Sequence, residues 1–192
     1  MNIISKTVNT LTRIAGATAA GFKVGFDIST KGRVRDMTFI RSFQIGDDYV
    51  EVWVSDLVLQ SRGVDVDYPN AICRLPQVVK NGANHYFICV SRCALEDPVV
   101  CDALIAHECG HIVHKHLYNA ATANVKQGRV LEADYEIEAD RFACELGFGD
   151  AMRKVICNAK ATDSRCWTIR KGMEIFDARL AAIDNWTATS HK

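Results

Sequence analysis

Four features are missing from this chain, and each absence removes a class of function. Charge of one sign is not in excess, because 23 Lys and Arg balance 23 Asp and Glu in 192 residues. Without a basic field there is no electrostatic footprint for nucleic acid or an acidic membrane surface. No run approaches the roughly 18 uninterrupted apolar residues of a conventional transmembrane helix. The eight cysteines include no C-x-x-C pair and no regular framework. Repeats, low-complexity tracts and signs of a second domain are also absent.

What is there is an ordinary globular composition, 48% hydrophobic and 24% charged, enough for one well-cored domain. Cys109, Cys144 and Cys157 fall within helical patterns, where a free thiol behaves as a small apolar group. The cysteines therefore read as reduced, and the protein as cytoplasmic. Residues 1–35 are set apart as an N-terminal leader or accessory segment, and residues 36–192 form the domain. Within the leader, Ile14 to Phe26 are small and apolar behind Lys6 and Arg13. That core is too short and too weakly apolar for a signal peptide. It reads first as a leader that packs on the body or frays, with peripheral membrane contact or partner binding as the alternative.

One stretch carries chemistry, His107-Glu108-Cys109-Gly110-His111. In a helix, H-E-x-x-H puts two imidazoles one turn apart on one face, where they can take two corners of a tetrahedral zinc. Glu108 lies about 100° around, placed to reach the open position of the metal without ligating it. The context predicts that helix. Asp97-Pro98 supplies a cap and a first helical residue, and Val99, Leu104, Ile105, Ile112, Val113 and Leu117 keep one side apolar to about Tyr118.

A catalytic zinc needs a third protein ligand. No His follows His116 until His191, so the acids of a second helix, Val130 to Leu146, are the candidates. Glu132 and Glu136 lie on nearly the same stripe, and geometry alone does not choose between them. Only Glu136 is followed by Ala139 and Asp140, a small residue that lets two helices approach and a carboxylate that can accept a ring N–H. Glu138 points away and is expected to face water. His114, seven residues after His107, lies on the metal face two turns off.

Elsewhere, Met37 to Ile45 reads as a strand or connector. After Gly46-Asp47-Asp48, the spacing of Val50, Trp53, Val54, Leu57 and Val58 favours a helix, although the Val-x-Val-x-Val alternation also suits a strand. Val64–Val66 and Ala71–Cys73 read as short strands, Asn81-Gly82 as a turn and Tyr86–Val90 as the clearest strand. Two more helices are expected, Asp150 to Ala161 and Arg170 to Trp186.

His107-Glu-Cys-Gly-His-Ile-Val-His-Lys-His116, followed by Glu136-Ile-Glu-Ala-Asp140, resembles the HtpX/Oma-type gluzincin peptidases, which include the CAAX prenyl endopeptidases. The similarity extends over roughly residues 47–185. It implies an α+β, zincin-like fold, mainly helical, with a small mixed sheet whose edge strand precedes the H-E-x-x-H helix. It further implies a zinc endopeptidase acting on protein or peptide substrates. One zinc per chain would be held by His107, His111 and Glu136, with Glu108 as general base. Asp140 and Arg179 would stand behind the ligands, and His116, which matches the family pattern, would be structural.

The chain departs from that family in three ways. Trp167-Thr-Ile-Arg-Lys stands where the family has His-Pro, the membrane helices are missing, and only 24 residues separate His111 from Glu136. That compactness is closer to the ImmA/IrrE-like metallopeptidases, whose second motif has Asn where Asp140 stands. A zinc-stabilised regulatory or binding module without turnover is the alternative from another class.

Overall fold

In the computed structural model, residues 37–60, 63, 66–78, 83–117, 119, 125–163 and 170–190 are described. Residues 1–36, the Asn81-Gly82 turn and Val64-Asp65 lie outside them; Val66 has no regular structure.

The described chain begins with a hairpin. Strand β1 (Thr38–Ile45) runs antiparallel to β2 (Asp48–Val54), joined by Gly46-Asp47 with Ile45 opposite Asp48. Gly46 has φ 62°, and a left-handed glycine opening a two-residue loop matches the twist of the paired strands. The helix expected over this stretch is therefore mostly strand. Val50, Val52 and Val54 are fully buried on one face, each contributing about 1.5–3 kcal/mol. A helix would turn Val52 about 200° away from Val50. Only the end is helical: α1 (Asp56–Gln60) is capped by Ser55, whose hydroxyl accepts the N–H of Val58 at 3.2 Å.

The sheet is mixed, in the order β1-β2-β4-β3, with β3 at Ala71–Val78 and β4 at Asn84–Val90. Strand β4 pairs in parallel with β2 and antiparallel with β3. It is an inner strand, which corrects the expectation of an edge strand before the H-E-x-x-H helix. Tyr86-Phe-Ile-Cys-Val90 is apolar at consecutive positions, the pattern of a strand covered on both faces. The edge belongs to β3, which passes Pro76 with a register irregularity between Arg74 and Gln77. An outer strand tolerates such a residue without an N–H.

A 3₁₀ turn (Arg92–Glu96) leads into α2 (Pro98–Val113). Asp97 caps it, accepting the N–H of Val99 at 3.1 Å and of Val100 at 3.3 Å. The helix lies between two layers. Strands β3 and β4 pack on one side, and α3 (Val125–Glu145) and α4 (Gly149–Asp163) on the other, with α5 (Arg170–Ser190) behind those two. Consequently α2 is buried nearly all round from Val100 to Gly110, not on one apolar side, while Val99 and Val113 are exposed. It ends at Val113, a turn before the expected Tyr118. The N–H of His114 closes on the Gly110 carbonyl at 3.0 Å, and Lys115 then takes a left-handed φ of 58°.

The architecture is α+β, five α-helices and one four-stranded mixed sheet among the described residues. None of those helices is long and apolar enough to cross a membrane. The seven described cysteines form no disulfide.

Candidate metal centre

The centre is set by how closely α2 and α3 approach. A Cβ on Gly110 would lie 2.8 Å from the Cα of Ala139 and 3.1 Å from the Cβ of Phe142. No side chain fits there, so the two backbones touch. Ala139 stands out in the sequence as the small partner; Gly110, inside H-E-x-x-H itself, is its counterpart. This contact brings Glu136 and Asp140, one turn apart on α3, up to the imidazoles of α2.

Three side chains converge. His107 Nε2 is 3.3 Å from Glu136 Oε2, and His111 Nε2 is 3.3 Å from Glu136 Oε1. The two Nε2 atoms are 3.1 Å apart. The ligand atoms all lie within 4.8 Å of one another, a group that can hold a metal ion. The side chain of Glu132 lies outside the described residues.

Asp140 and Arg179 stand directly behind this group. His107 Nδ1 is 2.8 Å from Asp140 Oδ1. An ionised carboxylate only accepts, so Nδ1 carries a proton, and in the neutral ring the lone pair is the one on Nε2, facing the group. Asp140 is fully buried, and Arg179 grips it with two bonds, Nε to Oδ2 at 2.7 Å and a terminal nitrogen to Oδ1 at 2.8 Å. The other terminal nitrogen of Arg179 lies 3.0 Å from Glu136 Oε2. One guanidinium from α5 thus holds both acids of α3 in place.

Electrostatics follow from this crowding. Burial disfavours the His107 imidazolium, but the facing Glu136 carboxylate and the hydrogen bond to Asp140 outweigh it and raise its pKa to about 10. Burial pushes Glu136 up, yet His107, His111 and Arg179 hold it well below the usual carboxylate range. Asp140 is likewise held down, mainly by Arg179, against its own burial. Glu108 is the exception: burial raises it, and the neighbouring imidazoles only partly offset that.

Glu108 shares a cavity of about 470 Å³ with the three converging side chains, walled by Tyr68, Leu104, Ile156 and Phe176 among others. Residues Ala71 to Cys73 of β3 also line it. The loop before β3 is fixed by a reciprocal pair: the Asn70 N–H donates to the Ser91 hydroxyl and the Ser91 N–H to the Asn70 carbonyl, both at 2.9 Å.

Two further residues belong to the centre. His116 reaches His111, Nδ1 to Nδ1 at 3.0 Å, and its Nε2 lies 2.9 Å from Glu138 Oε2. Glu138 is half-exposed, as its position on α3 suggests, but it is not merely solvated. His114 stands outside the converging group and stacks on His116, with centroids 5.5 Å apart. Compared with protein-family models, curated proteins and solved structures, the chain matches none.

Proposed function

We propose that the chain is a zinc-dependent endopeptidase of the gluzincin type, with a zincin-like fold, as its resemblance to the HtpX/Oma-type peptidases implies. One observation carries this reading. His107 Nε2 and His111 Nε2 are 3.1 Å apart, each 3.3 Å from a different oxygen of Glu136, and one ligand atom from each residue lies within 4.8 Å of the others. Bonds of about 2.0–2.1 Å to a tetrahedral zinc require ligand separations of about 3.3 Å. Two imidazole nitrogens at close to that spacing, with a carboxylate facing both, suit zinc, and Glu108 lines the same cavity.

A bound zinc supplies a Lewis acid that polarises the scissile carbonyl and acidifies a water. Glu108 accepts the proton of the attacking water and delivers it to the leaving amine. Its raised pKa suits a group that must hold a proton between the two steps. Asp140, clamped by Arg179, keeps the His107 lone pair aimed at the centre. An extended protein or peptide substrate would lie along β3, the outer strand that lines the cavity, since β4 is paired on both sides.

The test is incubation of purified, zinc-loaded protein with an unfolded protein such as casein, alongside Glu108→Gln. The variant is expected to keep its zinc and fold while losing 10²–10⁴-fold in hydrolysis, the typical loss for a general base. Equal activity in the two proteins removes Glu108 from the mechanism. A second reading, a zinc-stabilised regulatory module without turnover, is favoured by Arg179. That cation commits its donors to Asp140 and Glu136 and is not free to meet a developing oxyanion. Zinc binding without casein cleavage supports this second reading. An ImmA-like peptidase directed at repressors differs in substrate, and cleavage of a repressor but not casein marks it.

A further inference from the structure

We propose that His116 and Glu138 form a relay that fixes the tautomer of His111 and so prepares its Nε2 to bind the metal. The proposal rests on the metal-centre reading above, but not on peptidase activity.

Proton placement follows from the far end of the chain of contacts. The Glu138 carboxylate lies 2.9 Å from His116 Nε2 and can only accept. His116 Nε2 therefore carries the hydrogen, and in the neutral ring Nδ1 is left as a lone pair. That lone pair faces His111 Nδ1 at 3.0 Å, so His111 must donate from Nδ1. Its Nε2 is then free of hydrogen, and Nε2 is the atom that meets His107 Nε2 and Glu136. One carboxylate on the outer side of α3 thus sets every hydrogen up to the metal position.

The backbone supports a positioning role. On an unbroken helix His116 would stand about 140° around from His111, out of reach of its ring. The helix instead stops at Val113, and Lys115 adopts φ 58°, a conformation unfavourable to a side chain with a Cβ. That residue carries the chain back, so that His116 returns against His111. Its ring is then held between two others: Tyr135 stacks at 4.3 Å and 14°, His114 at 5.5 Å and 18°. His116 is buried, with 2% exposure, although Glu138 is half-exposed.

The experiment measures zinc affinity by chelator competition in the full chain for wild type, His116→Ala, His116→Asn and Glu138→Gln. The cobalt(II) absorption spectrum of each is recorded as well. His116→Ala is expected to weaken zinc 10–100-fold, the range for loss of a partner behind a ligand, and to alter the cobalt spectrum. His116→Asn can place its amide oxygen where Nδ1 stood, and is expected to recover most of the affinity and the spectrum. Glu138→Gln, whose amide can also donate, is expected to lose affinity in the same direction but less.

Wild-type affinity and spectrum in His116→Ala overturn the relay. If His116→Ala does not fold, an Asn variant that binds far more weakly than wild type overturns it equally, because the Nδ1 acceptor is then not what matters. A wild type that binds no cation overturns the metal-centre reading itself, and the relay with it.

Discussion

His107 and His111 stand one turn apart on the same helix and face the same carboxylate, yet the fold holds them by opposite means. Behind His107 there is one short bond to Asp140, fully buried and neutralised by Arg179 from α5. Behind His111 there are two bonds through His116, ending on a half-exposed Glu138 that no guanidinium grips as Arg179 grips Asp140. The first arrangement is part of the core. The second hangs on one left-handed lysine and a stack of rings. Orienting a ligand and stabilising a fold are therefore separable here, and the two halves separate them differently.

The widest gap should open below both halves, at the acid they share. Glu136 faces each imidazole through a different oxygen, so Glu136→Ala is expected to abolish tight zinc binding in chelator competition. A variant that still binds tightly would place the third ligand elsewhere, with Glu132 the first alternative. Next comes the contrast itself. Asp140→Asn leaves buried Arg179 short of a counter-charge, which should cost about 3–5 kcal/mol in urea unfolding of the metal-free protein. Glu138→Gln, ending in solvent, should leave the same midpoint almost unmoved. Equal losses in the two would erase the distinction between the halves.

Gly110→Ala tests what both halves depend on. Its new Cβ would meet backbone at 2.8 Å, so the helices must part, at about the 1–3 kcal/mol typical of overpacking. Zinc affinity should fall with stability, because Glu136 moves away with α3. The last test concerns protons. His107, with its pKa raised to about 10, must release a proton before its Nε2 can bind a cation. Apparent zinc affinity should therefore rise with pH by up to about tenfold per unit until that pKa is reached. The metal-free fold should show the opposite trend. A raised folded-state pKa stabilises it fully below about 6.5, the unfolded value, and that contribution fades as pH climbs to about 10. Flat affinity from pH 6 to 9 contradicts the assignment of this proton to His107.

Much of the centre could be read from spacing because it sits inside regular helices. His107 and His111 share a face by the 3.6-residue period, and Ala139-Asp140 singles out Glu136 by the same rule. The Asp97-Pro98 cap announces where α2 begins. Its end has no such signal: neither glycine nor proline marks the left-handed turn at Lys115, so the helical period runs on to about Tyr118 and gives no sign that His116 meets His111. Gly110 was invisible for a different reason, since its importance lies in what faces it across the helix pair. Residues 50–58 satisfy two periods at once, because strand β2 runs directly into α1. Pairing with β1 and β4, which no local pattern encodes, decides between them. The inner place of β4 is legible in its unbroken apolar run, Tyr86 to Val90, which the family pattern alone does not convey.

The outer strands of the sheet bear on how the protein behaves at high concentration. Exposed strand edges are templates for a second copy to zip onto, the common route to aggregation. Here β1 is irregular between Phe39 and Arg41, and β3 between Arg74 and Gln77 around Pro76. Each break interrupts the row of peptide groups that a like strand would need. On β3 the uninterrupted stretch is Ala71 to Arg74, the part beside the cavity. That stretch is too brief to nucleate a ribbon of copies of this chain.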